Sequence, residues 1–420
     1  MKKYFKLLPV LALTISINNS TAQDIDYNDV KFDYTQLPLK PLQDRSVKNA
    51  QTKVALKYMD DINAAKGSYQ DRVRKAEEDY QKAMEFYYVQ VKLADDQYNT
   101  EMEAWNKKSL AEKLLLGDKN KPQKKYIAQP YKQMPVEQKY QKSFDTDMLA
   151  NKYFKVEGFN NAPGGLLINV KLLGFDSQEP EMQTSTVNTT NAQKQPVTIT
   201  KYKYIIRYKH PMGYSAELNG NILYEDYPVE TTNYSSVTSQ EFDNQGALQS
   251  WWNGAKDGYL ANLQERVINE NCQRLGTEIN NKFGYRKINF TTELMNVDEK
   301  KDYDDLKEAY NSALTGFNAL ASDINKNSAL PNFRKAADIW ENAMKESNIE
   351  SRKARIDRSV TKGLLINLQQ VYMWLDEYEK SDACYQKLIA LDPDNTNKKR
   401  AERIKAMAAD QKERWVANKQ

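Results

Sequence analysis

The sequence predicts an α+β multidomain protein. It has an N-terminal long amphipathic helical hairpin, a mostly antiparallel sheet with one long helix in the middle, and a C-terminal array of paired helices. Three observations carry this. Apolar residues recur at steps of three and four from Tyr69 to Trp105. The period changes to two between about residues 153 and 226, and helical spacing returns after Asp302. The chain has 420 residues, room for roughly two or three domains. Hydrophobic residues make up 40% and charged residues 28%, within the globular range. The 27 tyrosines suit half-buried helix and sheet faces, since each pairs an apolar ring with a polar tip.

Residues 1–22 read as a secretory signal peptide. Lys2, Lys3 and Lys6 precede a short apolar run from Leu7 to Ile17, and the small residues Ser20 and Ala22 precede a cut before Gln23. The run is too short to span a bilayer, which takes about 20 residues. No Cys stands near the cut, so a lipid anchor is not expected. The mature chain is expected to be periplasmic or secreted, with no transmembrane helix. Without the three leader lysines the basic residues nearly equal the 57 acidic ones, which gives no electrostatic ground for nucleic-acid binding. Cys272 and Cys384 both fall in helical patterns and read as buried apolar residues; a single long-range disulfide is the other reading.

Residues 23–43 form an extended arm, because Pro38 and Pro41 forbid a helix. The arm packs on its own domain or reaches a partner protein. Residues 44–116 are the helical hairpin, with the stretch from Arg45 as first partner, Gly67 near the join, and a second helix of roughly 65 Å. Residues 117–144 read as a solvated linker, stopped by Gly117, three prolines and a lysine run. Residues 145–300 are the α+β domain. "YFKVEGF" and "GGLLINVKLLGF" are strand-like. "PVTITKYKYIIRYKH" alternates Tyr202, Tyr204, Ile206 and Tyr208 against Lys201, Lys203, Arg207 and Lys209. "YSAELNGNILYEDY" is a hairpin around Asn219-Gly220. "DSQEPEMQTSTVNTTNAQKQ" reads as a long mobile loop. A helix follows from about Gln245 to Lys282, and "FGYRKINFTTEL" is a last strand. Residues 301–420 are the C-terminal helical domain.

That domain carries a resemblance. Leu365, Leu368 and Tyr372 occupy large positions on one helix. Tyr378, Ser381, Tyr385 and Leu388 occupy matching positions on the next, with Ser381 as the small contact residue. Pro393 in "LDPDN" ends the pair. The pattern resembles a tetratricopeptide repeat. Gln369 and Asp376 depart from it, since the family usually has Gly at both, and Gln369 would hold the helices slightly further apart. Phe333, Ala336, Trp340 and Ala343 repeat the second-helix spacing upstream. Their offset is about 45 residues against an ordinary repeat of about 34. The extra residues fit a lengthened helix from Asn348 to Leu375. The polar helix after Asn395 caps the stack. The resemblance covers about one and a half repeats and a cap. It implies a concave face that holds a peptide or protein, with Gln370, Met373, Asn397 and Arg400 as exposed partner-binding candidates. An intramolecular support for the middle domain is the other reading.

No residues in the sequence mark a catalytic or metal-binding constellation, so no cofactor is expected and the chain reads as non-enzymatic. His210 is the one histidine; in "KHPMGY" it is expected in a surface turn. Trp251 and Trp252 are adjacent on a helix start and cannot share a face. Either both pack in the core or one is an exposed aromatic contact for a sugar ring or a partner. The leading expectation is an exported protein-binding or scaffold subunit of the bacterial cell envelope, an accessory of an outer-membrane assembly or secretion complex. It would have a protein partner in the envelope and a peripheral association with an outer-membrane complex. The other expectation is a glycan- or peptidoglycan-binding envelope protein.

Overall fold

The computed structural model describes residues 25–64, 69–109, 112–113, 121–135, 141–297, 302–322 and 326–419. The leader expected over residues 1–22 lies outside the described residues. Contacts divide the chain into two compact units. One joins Met1–Gln36 to Lys287–Trp415; the other holds Leu37–Arg286 and Val416–Gln420. Among the described residues no helix is long and apolar enough to cross a membrane.

The arm is a strand, β1 (Ile25–Gln36). Val30, Phe32 and Tyr34 are buried while Lys31 and Asp33 are exposed, the period-two signature of one packed face.

The second unit corrects the helical hairpin. Residues expected as its first helix form β2 (Asn49–Leu56) and the short α1 (Lys57–Ala64) before α2 (Tyr69–Lys107). β2 runs parallel to β3 (Asn160–Asn161) and to β4 (Leu166–Leu172), with Ala50 opposite Leu166 and Leu56 opposite Leu172. Parallel strands need a long crossover, and α1, α2 and α3 (Thr146–Tyr153) lie within it. "YFKVEGF" is not a strand: it contains the end of α3, whose first turn is capped by Asp145 accepting from the Met148 amide.

β4 buries every second residue. It pairs antiparallel with β8 (Met212–Leu218), and β8 with β9 (Asn221–Asp226). The hairpin turn is Asn219-Gly220 as expected, both at positive φ (53° and 80°), which the tight two-residue turn requires.

The expected mobile loop is structured. β5 (Asp176–Ser177) and β6 (Glu181–Thr190) both pair antiparallel with β7 (Pro196–Lys209), β6 in register from Glu181↔Ile205 to Thr190↔Pro196. After α4 (Val229–Thr232), β10 (Ser235–Thr238) joins the other edge of β7.

α5 (Gln245–Phe283) serves both sheets. Its first half packs Trp252, Leu260, Leu263 and Val267 on Ile206 and Phe175. Its second half packs Ile268, Cys272, Leu275, Ile279 and Phe283 on the inner face of β4 and β8. At Gly276 a Cβ would stand 2.0 Å from the Tyr153 carbonyl oxygen, so only glycine lets α3 approach.

In the first unit β11 (Arg286–Val297) pairs with β1, not with the middle sheets. Four helices, α6 (Asp304–Ala319), α7 (Leu330–Met344), α8 (Arg358–Trp374) and α9 (Tyr378–Ala390), follow the expected spacing, and α10 (Asn395–Asn418) follows them. The lengthened helix is corrected. Residues 348–357 are turns, and α8 starts only after its cap Asp357, which accepts from the Ser359 and Val360 amides. Arg355 fixes the turn with paired bonds to Asp305 at 2.8 and 3.1 Å and to Glu346 at 2.8 and 2.7 Å.

Candidate protein-binding surfaces

The face of α8 and α10 that the resemblance gives to a ligand is occupied by the chain's own strands. Every residue of α8 from Gly363 to Trp374 is buried, the mark of a helix covered all round. Asn367 brackets the backbone of β11: its Oδ1 accepts from the Met295 amide at 2.9 Å and its Nδ2 donates to the Met295 carbonyl at 2.8 Å. This copies a strand-to-strand pair from a helix. Gln370, expected to be exposed, is 1% exposed. It accepts from the Thr292 hydroxyl at 2.5 Å and donates to the Glu293 carbonyl at 2.7 Å. Met373 is buried too, and the neighbouring Trp374 meets Phe32 and Tyr34 edge-on at 5.6 and 5.0 Å.

Arg400 closes the same face. It donates from Nε and Nη2 to the two Glu293 oxygens, each at 2.9 Å, and its guanidinium lies 3.8 Å over the Tyr27 ring. Hydrogen bonds from Arg400 hold the Glu293 carboxyl below its usual range. Burial pushes the Tyr27 phenol up, partly offset by Arg400. Asn397 is buried; its Oδ1 accepts from Arg400 Nη1 while its Nδ2 donates to Asp394. The four candidates are thus brought together, but around β1 and β11. Sequence reasoning took the face as open because nothing in a helical period reports that a strand pair lies upon it.

The two departures from the repeat have local causes. Asp376 sits at φ 61°, a conformation glycine adopts most easily; Lys326 bonds its carboxylate at 2.6 Å and the Trp374 carbonyl at 3.0 Å. Gln369 donates to the Ala401 carbonyl on α10 at 3.0 Å, while Ser381 donates to the Gln369 carbonyl at 2.8 Å.

Trp252 is buried, and Trp251 is half-buried. Trp251 meets Phe242 at 5.4 Å, Trp252 at 5.8 Å and Tyr259 at 5.7 Å, so the pair is turned into an aromatic cluster of its own unit. His210 is not in a surface turn. It is 1% exposed, edge-on to Tyr58 at 6.3 Å, and burial pushes its imidazole down to about 3. Cys272 and Cys384 are both free and buried, and burial pushes their thiols up to about 12 and about 11.

Lys282 anchors a polar cluster of the second unit. Its ammonium donates to Glu278 and to the Tyr224 hydroxyl at 2.6 Å each, and to Asp226 at 3.1 Å. Burial alone would lower its pKa; the bonds to Glu278 and Tyr224 prevail and raise it to about 12. The ammonium therefore stays charged and offsets two carboxylates at the end of the β9 hairpin. Among the described residues no group of three or more His, Cys, Asp or Glu is placed to hold a metal.

Two surfaces of the second unit face outward. β6 is exposed along almost its whole length and, among the described residues, pairs only with β7. Between Met182 and Thr190 it has no charge, no proline and no bulge, the devices that normally protect a strand edge. On α2, four large apolar residues stand within eight positions: Phe86 (65% exposed), Tyr88 (63%), Val89 (55%) and Leu93 (57%). Residues 121–135 of the expected linker lie along the other side of this helix. There Lys124 bonds Asp95 at 2.7 Å, Gln129 meets Met84, and Lys132 bonds Glu77. Neither surface was legible beforehand, because a polar strand and an exposed stripe both lack a buried period. No protein-family model, curated protein or solved structure matches the chain.

Proposed function

We propose that the chain is an exported, non-enzymatic protein-binding or scaffold subunit of the bacterial cell envelope, an accessory of an outer-membrane assembly or secretion complex. The C-terminal helices support this as a set of packed pairs whose groove is filled by β1 and β11. The docking site is the free edge of β6. Its occupant is an extended, uncharged strand of another envelope protein, which adds to the β6–β7 ribbon by main-chain hydrogen bonds. The observation that carries this is the unguarded edge itself: ten residues in unbroken register with β7, rich in Thr and Ser, with no strand of the described residues paired on the outer side.

Single prolines test it. Successive amides of a strand point to opposite edges, so of Ser185→Pro and Thr186→Pro one removes a bond to β7 and the other removes a donor on the free edge. Affinity purification of the full chain from detergent-solubilised envelopes should recover a partner with the wild type. The free-edge variant should lose that partner with its thermal midpoint unchanged. Recovery of the chain alone, or equal capture by both proline variants, sinks the reading.

A further inference from the structure

The exposed stripe of α2 is independent of the β6 edge. At about 100° per residue, Asp71, Lys82, Val89, Leu93, Asp96 and Lys107 fall within about 40° of one direction. All are exposed. The helix thus presents one continuous outward face over its 39 residues, with Phe86, Val89 and Leu93 beside Glu85 and Lys92 at the centre and only polar or charged residues toward both ends.

The order of charges on that face is informative. Positions at equal distances on either side of Val89 carry opposite charges three times: Asp71 and Lys107, Lys75 and Glu103, Lys82 and Asp96. Glu78 stands opposite Thr100, Glu85 opposite Leu93 and Phe86 opposite Lys92, so no like charges meet on this face. A parallel pairing in register would set each charge against itself. An antiparallel pairing centred on Val89 sets each against its complement.

We propose that α2 docks on α2 of a second copy of this chain, antiparallel, about a two-fold axis at Val89. Phe86, Val89 and Leu93 of both copies form the apolar centre, rimmed by Glu85 and Lys92. Lys82 of each copy faces Asp96 of the other, and Asp71 faces Lys107 at the two ends. The contact is isologous, so it closes at a dimer and does not propagate into a filament. Interhelical charge pairs of this kind set orientation more than they add stability.

The test uses the full mature chain. Sedimentation velocity should give a dimer whose dissociation constant rises at least about tenfold in Val89→Lys, a loss of about 1.4 kcal/mol. Lys82→Asp should weaken it similarly, and Lys82→Asp combined with Asp96→Lys should restore it. Because this face is exposed, helix content by circular dichroism should be the same in all of them. Orientation is read from engineered thiols, since Cys272 and Cys384 are both buried. Val89→Cys should cross-link to itself. Asn106→Cys should not, because antiparallel pairing separates the two copies of this residue by about 50 Å. A monomer at high concentration, a dimer indifferent to Val89→Lys, or efficient Asn106→Cys cross-linking would each overturn the proposal. Partner capture through β6 is unaffected by these variants, so the two readings fail separately.

Discussion

Protonation of His210 works against folding. Both ring nitrogens are buried and have no hydrogen-bond partner among the described residues, and burial holds the folded-state pKa at about 3 against an ordinary 6.5. The unfolded chain binds the proton first. The neutral imidazole therefore contributes stability that is fully present above about pH 6.5 and is lost as pH falls from there toward 3. The loss is on the order of 3–5 kcal/mol. His210→Leu should flatten this part of the curve of urea midpoint against pH. An unchanged slope between pH 6 and 4 would contradict the burial argument. Arg400 makes the opposite kind of contribution. Arg400→Ala leaves the Glu293 carboxylate beside the Tyr27 ring without its paired donors. Both side chains keep some solvent access, so the expected cost is about 1–3 kcal/mol in urea denaturation. Arg400→Lys should recover only part of it, because an ammonium cannot donate in the fork geometry.

Between α8 and β11 there is no room for even a single methyl group at residue 363. A Cβ at residue 363 would stand 2.6 Å from Met295 Cγ, so Gly363→Ala should cost about 1–3 kcal/mol by overpacking. Adding Met295→Ala should relieve part of that cost; if the two losses simply add, the contact is not what matters. Elements of this kind were legible to different degrees. α5 and the C-terminal helices were readable because long apolar stripes survive any context, and β7 because Tyr and Lys alternate on it. β2 reads as helix in the sequence, although Ala50, Thr52, Val54 and Leu56 alternate, because its small residues also suit a helix and its continuation into α1 hides the change of period. β6 was missed for a different reason. Its residues are polar on both faces, and its strand state comes from the ten pairs it makes with β7. The turn at 348–357 depends on Arg355 reaching Asp305, about fifty positions away in sequence, which no local pattern reports.

At the scale of the first unit, the C-terminal helices and the strands that cover them share one packed core. Cutting the chain after Gln36 would remove β1 and strip Phe32 and Tyr34 from Trp374. The truncated chain should bind a hydrophobic dye strongly and lose several kcal/mol of stability in this unit. If β1 were a displaceable guest, the truncated chain would keep its thermal midpoint and open a peptide-binding groove instead. The candidate site was therefore legible only as a place. Gln370, Met373, Asn397 and Arg400 do converge, while the identity of what they hold followed from pairing between the two ends of the unit.

Amide hydrogen exchange on the full chain compares the filled groove with the open edge in one measurement. The amides of residues 25–36 and 287–297 that pair β1 with β11, and the Met295 amide held by Asn367, should exchange as slowly as those of 358–374. Within 181–190 the amides facing the free edge should exchange fast, alternating with slow ones that bond to β7. Fast exchange across 25–36 and 287–297 beside a protected α8 would mean that the groove stands open, and the assignment of partner docking to β6 would lose its basis.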